Sequence, residues 1–256
     1  MKSIKAIVAL LLICAISSIC VSAESGHGWY IVKRKGGIPG FPADSDYLSE
    51  HSCYFIDRAS AERGEKVLYL TFDAGYENGN IARILDTLKE ENVPAAFFVL
   101  SNLINKNTDL VGRMFDEGHC VCNHTQDHKS LPTMSACEAS DNLSGLEALC
   151  LGKTGREMSK YFRYPEGVYS KESVDNLENL GYKSFFWSIA YADWDNSKQP
   201  ECERAIESLK AQTHPGAIIL LHPTSETNAT IMRDMIRTWR EMGYRFGTLD
   251  DLVANN

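Results

Sequence analysis

Ionisable side chains recur where short apolar runs end. Asp73 follows residues 67–72, His124 follows 120–122, Arg163 lies within 161–164, Asp193 follows 184–189, and His222 follows 217–221. A carboxylate beside a cation is a base held ionised, and an imidazole beside a carboxylate is an acid held protonated. Together they suit a hydrolysis in which one group takes a proton from water and another returns one to the leaving atom. His124 and His128, in HTQDH, are four residues apart. On one helical turn both imidazoles would share a face and suit a common metal ion. Each residue also has an ordinary use: Asp73 as a helix cap, Asp193-Trp194 as a loop anchor and a core aromatic, His222 as a satisfied core histidine, the other two as a loop pair.

What decides between these uses is whether the residues meet, and that depends on the elements carrying them. Apolar runs at 67–72, 95–100, 120–122, 161–164, 184–189, 217–221 and 244–249 read as strands. Amphipathic stretches near 80–91, 108–117, 135–151, 171–180, 201–212 and 230–242 read as helices between them. Strands alternating with helices make βαβ units and a mainly parallel sheet. About 190 residues of this kind predict an α/β fold, a distorted (β/α) barrel of about seven parallel strands, with a doubly wound open sheet as the alternative. In either, active sites gather at the carboxyl ends of the strands, where five of the seven runs deliver ionisable groups.

The remainder sets the context. Residues 1–23 carry Lys2 and Lys5 before an apolar run and close on Val21-Ser22-Ala23, which reads as a signal peptide for export, an uncleaved anchor being the alternative. Residues 24–64, rich in Gly, Pro and Ser, read as an irregular arm, and 65–256 as the main domain. Removing the first 23 residues takes two of the 26 basic residues and none of the 34 acidic ones, leaving a net charge of −10. That excess disfavours nucleic acid as a partner, and the lack of a Gly-rich loop after the first strand disfavours nucleotides. Six cysteines remain, free or paired in one of 15 ways.

Taken in order, TFDAG (71–75), HTQDH (124–128), RYPEG (163–167), Asp193-Trp194 and LLH (220–222) resemble the motifs of the polysaccharide deacetylase family, the NodB-type carbohydrate esterases of family 4, from about Lys66 onward. TFDAGYENGN, FRYPEGVYS, FFWSIAYADW and HPGAIILLH resemble most closely its spore-cortex branch, which deacetylates N-acetylmuramic acid in peptidoglycan on the way to muramic δ-lactam. The resemblance implies a barrel that hydrolyses a linear amide on a peptidoglycan strand. The protein would act as an exported monomer in the cell wall or spore cortex space. Asp73 would be the general base with Arg163 as partner, and His222 the general acid with Asp193 as partner. The Glu166 N–H would stabilise the oxyanion, and Trp194 and Leu220 would receive the acetyl methyl. A divalent metal, zinc or similar, would sit on His124 and His128. Its third family ligand is an aspartate where this chain has Ala74, so the resemblance leaves three outcomes: weak binding, completion by Asp127 or Glu77, or catalysis without metal. An N-acetylglucosamine or chitin-type deacetylase and a weakened wall-glycan-binding protein are the alternatives. A glycoside hydrolase suits one base, an arginine and a His–Asp pair less well than amide hydrolysis does.

Overall fold

The computed structural model describes residues 26–34 and 37–256; the segment read as a signal peptide lies outside them. Among the described residues the chain forms ten strands: β1 (His27–Gly28), β2 (Cys53–Tyr54), β3 (Val67–Ala74), β4 (Ala95–Val99), β5 (Cys120–Asn123), β6 (Ser159–Phe162), β7 (Val168–Tyr169), β8 (Lys183–Phe185), β9 (Ala217–Leu221) and β10 (Arg245–Phe246). Eight of them form one parallel sheet. Its path runs β10-β3-β4-β5-β6-β8-β2, and β9 also lies on β3. Leu68 to Phe72 stand opposite Ala217 to Leu221. The sheet curls back on itself beyond β8, where the Ser188 N–H donates to Ile218 O (3.0 Å) and the Leu220 N–H to Ile189 O (2.9 Å). The result is the expected distorted (β/α) barrel.

Strands buried on both faces sort their side chains by parity. Along β3, Leu68, Leu70, Phe72 and Ala74 enter the core between sheet and helices. Val67 and Tyr69 enter the barrel interior with Ala96, Phe98, Cys122, Phe185 and Ile218. Asp73 has interior parity, so the strand that buries six residues before it must present that carboxylate at the barrel mouth. Helices Asn80–Glu90 and Glu226–Glu241 cover the outer face with Ile81, Ile84, Leu85, Met232, Met235 and Ile236. Each such side chain is worth about 1.5–3 kcal/mol when fully buried.

Three elements differ from expectation. The arm is partly regular: helices Ser45–Ser49 and Arg58–Arg63 flank β2, which pairs with β8 and extends the sheet. The strand expected over 184–189 stops at Phe185 and continues as irregular backbone. The one expected over 244–249 is cut to β10, because Thr248 caps a final helix, Leu249–Asn255, exchanging hydrogen bonds with Asp251. The arm is held by Trp29, whose ring lies 4.9 Å from Phe55 and 4.8 Å from Phe186. Its Nε1–H donates to Trp187 O (2.9 Å) and its backbone N–H to Gly167 O (2.9 Å). The six described cysteines are all free thiols. No described helix is long and apolar enough to cross a membrane.

Candidate active site

Asp73 and Arg163 meet at the carboxyl ends of β3 and β6, with Arg163 Nη1 2.9 Å from Asp73 Oδ1. Arg163 has no accessible surface. Its other guanidinium nitrogens donate to Phe185 O (2.9 Å) and Phe186 O (3.3 Å), and its guanidinium carbon lies 4.2 Å from the centre of the Phe98 ring. Burial by itself would raise the Asp73 carboxyl. Arg163, His124 and His222 override that and hold it below the usual carboxylate range.

On the neighbouring strand β9, where Leu221 stands opposite Phe72, the next residue is His222, whose Nδ1 lies 2.8 Å from Asp193 Oδ1 and whose backbone N–H donates to Asp193 Oδ2 (2.8 Å). A carboxylate accepts, so Nδ1 carries a proton and Nε2 is the nitrogen free to serve the cleft. Burial opposes the charged imidazole, but hydrogen bonding and charge from Asp193, with Asp73 adding to them, raise its pKa above the ordinary histidine value. Asp73, His128, Glu166, Trp194, Leu220 and His222 all line one cleft of about 730 Å³. Leu220 is nearly buried there, whereas Trp194 is 61% exposed and stands at the rim, its ring 6.3 Å from that of His222.

Glu166 sits in the turn after β6 with φ 56°, followed by Gly167 at φ 69°. Both are left-handed, a conformation uncommon for a residue with a side chain. Gly167 is required twice over, because a Cβ there would meet the Trp187 ring at 2.8 Å. Among the described residues the Glu166 N–H has no hydrogen-bond acceptor, which leaves it available to a ligand oxygen.

The HTQDH segment is a loop and not the helical turn its spacing suggested. Asn123 Oδ1 accepts from the Thr125 N–H (2.9 Å), an Asx turn that breaks helix formation, and Thr125 and His128 have φ of 70° and 60°. The two imidazoles still approach, with ring centres 5.0 Å apart. His124 is 2% exposed and donates from Nδ1 to Arg163 O (2.8 Å). Burial pushes its pKa down to about 4, so it is neutral at neutral pH, with the Nε2 lone pair facing Asp73 Oδ2 at 3.6 Å. That distance is too long for a hydrogen bond, and two acceptors face the gap, which the O–H of a water would suit.

A metal centre of the family type needs a third protein ligand. Ala74 has no donor atom and packs in the outer core without accessible surface. Glu77 accepts the Gly79 and Ile81 N–H groups that open helix Asn80–Glu90. Asp127 pairs with Lys129 (3.5 Å) and Asn142 (3.3 Å). Among the described residues no three His, Cys, Asp or Glu side chains form a metal-binding group. The donor set therefore does not fit that centre. Lys33, Trp187 and Tyr191 also line the cleft, and Asn228 lies behind it. None of the four was found from sequence, although Ser225 three residues before Asn228 is a readable helix-start signal.

A parallel barrel whose paired strands β3 and β9 bring a carboxylate and an imidazole to one cleft, each against a buried partner, is suited to hydrolysis. The chain belongs to the polysaccharide deacetylase family, whose profile matches residues 60–185 and ends before Asp193 and His222. It is 39% identical to the peptidoglycan-N-acetylmuramic acid deacetylase PdaA of Bacillus subtilis, over 74% of this chain and 72% of that one. It is also 39% identical to an uncharacterised 30.6 kDa protein of Geobacillus stearothermophilus, over 82% of this chain and 77% of that one. The solved structure of B. subtilis PdaA, a family 4 carbohydrate esterase, matches with TM-score 0.85 at 34% identity, covering 91% of this chain and 98% of that one. A family 4 pseudoenzyme from Bacillus anthracis matches with TM-score 0.67 at 26% identity, covering 73% and 65%.

Proposed function

We infer that this protein removes N-acetyl groups from peptidoglycan, with N-acetylmuramic acid as the acceptor unit. The observation that carries the reaction is the meeting in one cleft, at the ends of paired strands, of an ionised Asp73 and a His222 whose pKa is raised. Asp73 takes a proton from a water placed between it and His124, and the water oxygen bonds to the acetamide carbon. The Glu166 N–H accommodates the developing oxyanion. His222 gives its Nε2 proton to the sugar nitrogen as the C–N bond breaks, releasing acetate and an amine. No step is assigned to a metal. His124 and His128 together would hold a divalent ion only weakly. Support for the muramic unit is the likeness to PdaA, together with Lys33 on the cleft wall, a cation suited to a sugar bearing a carboxylate. Export to the wall or the spore cortex, and a role in sporulation, belong to the same proposal; they rest on Lys2, Lys5, the apolar run after them and the substrate's location.

The test is to incubate the protein with peptidoglycan strands, with and without peptide stems, and with chitin oligomers, with and without chelator, and to follow the products by mass spectrometry. Loss of acetyl from muramic units, insensitive or weakly sensitive to chelation, is the expected result. Loss from N-acetylglucosamine alone would move the reading to a chitin-type deacetylase. Ala74 and the likeness to a pseudoenzyme favour one other reading, a wall-glycan-binding protein. Strand binding without any acetate release would establish it.

A further inference from the structure

Helix Glu226–Glu241 begins a turn earlier than its hydrophobic pattern suggests, and that turn carries Asn228, an amide with no accessible surface directly behind the His222–Asp193 pair. Its Nδ2 lies 2.6 Å from Asp193 Oδ2 and 3.0 Å from His222 O, both acceptors. Its Oδ1 receives the Tyr191 hydroxyl. These neighbours fix the amide's orientation, since the flipped form would set a carbonyl against a carboxylate and an NH2 against a hydroxyl that must then find another acceptor. Asp193 thus receives three N–H groups: His222 Nδ1 on Oδ1, and the His222 backbone and Asn228 on Oδ2. The turn is anchored separately, by Ser225 Oγ accepting the Asn228 backbone N–H (3.1 Å) and itself donating to Gln199. Asn228 is absent from the cleft wall, so it touches no substrate.

We propose that Asn228, oriented by Tyr191, is a positioning residue for the deacetylation. It fixes the plane of the Asp193 carboxylate, so that Oδ1 stays on His222 Nδ1 and the protonated Nε2 stays aimed at the leaving nitrogen. Two oxygens constrained by three donors cannot turn; with Asn228 removed, Oδ2 keeps a single donor and the carboxylate is free to tilt away from the imidazole. The proposal rests on the deacetylase reading.

The charged groups that bear on His222 are Asp193, Asp73 and Arg163. Only the first touches Asn228, so a change at Asn228 should reach His222 through Asp193 alone. The experiment compares wild type, Asn228→Ala, Asn228→Asp and Tyr191→Phe in steady-state deacetylation against pH, together with the NMR titration of the His222 ring. Asn228→Ala should lower kcat about tenfold to a hundredfold, the cost of one hydrogen bond to a charged group, with KM unchanged. Its alkaline limb and the His222 titration should both move to lower pH as the pairing with Asp193 loosens. Tyr191→Phe should move both in the same direction by less. Asn228→Asp should recover activity only at acidic pH, where a protonated side chain can still donate to Asp193, and lose it where two carboxylates would face each other. An unchanged His222 titration in Asn228→Ala, with or without a loss of kcat, overturns the proposal. If Asn228→Ala fails to fold, Tyr191→Phe and Asn228→Asp carry the same test. The titration needs no turnover, so it separates failure of this proposal from failure of the deacetylase reading, which would appear as wild-type protein releasing no acetate.

Discussion

The two halves of the site are both carboxylate–cation pairs, built with opposite burial. In the base half the cation is hidden: Arg163 has no exposed side-chain surface, and Asp73 reaches the cleft with 11%. In the acid half the carboxylate is hidden: Asp193 is 1% exposed, and His222 reaches the cleft with 25%. In the proposed reaction the member at the cleft does the proton transfer, and the buried member sets its charge state. Burial also keeps each partner from water, so the pairing is stronger than at a surface, where such pairs contribute about 0–1 kcal/mol. One barrel thereby keeps a carboxyl ionised and an imidazole protonated at the same pH, at the ends of two paired strands.

The largest effect that tests this comparison comes from removing the cleft members. Asp73→Asn and His222→Ala should each lower kcat/KM for acetate release by about a hundredfold or more. A residual rate within a few fold of wild type in either would assign the chemistry elsewhere. Removing the hidden members should act mainly on one pH limb each. Activity requires Asp73 ionised and His222 protonated, so wild type should work from below the ordinary carboxylate value, about 3.9, to above the ordinary histidine value, about 6.5. Arg163→Gln should move the acid limb upward, because Asp73 loses the cation that holds it ionised, and the alkaline limb upward by less, because Arg163 also bears on His222. Asp193→Asn should act chiefly on the alkaline limb, downward, because His222 loses the charge that holds it protonated. An alkaline limb moved further than the acid limb by Arg163→Gln would dissolve the two-halves description.

A smaller effect lies in stability. His124 and His119 are buried neutral, each with its pKa pushed down by burial to about 4. Between there and the unfolded value near 6.5, the unfolded chain binds the extra protons. Their contribution is therefore whole above about 6.5 and is lost as pH falls toward 4. Calorimetry should show Tm several degrees lower at pH 4.5 than at pH 7, and His119→Phe should flatten part of that slope. A Tm constant over this range would mean that these histidines are charged in the fold.

Much of this was legible in the sequence because period-2 parity and strand ends are local signals. The apolar run over 67–72 announced both β3 and the direction of Asp73, and the seven expected strands all exist, those over 184–189 and 244–249 cut to a few residues and that over 161–164 shifted to 159–162, which sets Arg163 just beyond its end and not within it. HTQDH was read correctly for the proximity of its histidines and wrongly for its backbone, because an i,i+4 spacing cannot report the Asx turn that Asn123 makes from the strand before it. The two-residue β2 has no period to read and forms only because β8 offers it an edge. Asn228 was hidden for a different reason. It is an ordinary polar residue in a helix's first turn, and its partners Tyr191 and Asp193 lie 37 and 35 positions away. The capping box of Thr248 and Asp251 was readable and would have shortened the last strand.

Trp29 ties the arm to the backbone of Gly167 and of Trp187, the latter 158 positions along the chain. Gly167 follows Glu166, which lines the cleft and whose N–H has no acceptor among the described residues. During synthesis the arm emerges first, yet it has nowhere to dock until most of the barrel strands have been made. The turn at Glu166 and Gly167 is thus completed by an early segment binding to later ones, a contact of high sequence separation of the kind that forms slowly. Hydrolytic competence should then appear late in folding, once the strands that receive the arm are in place.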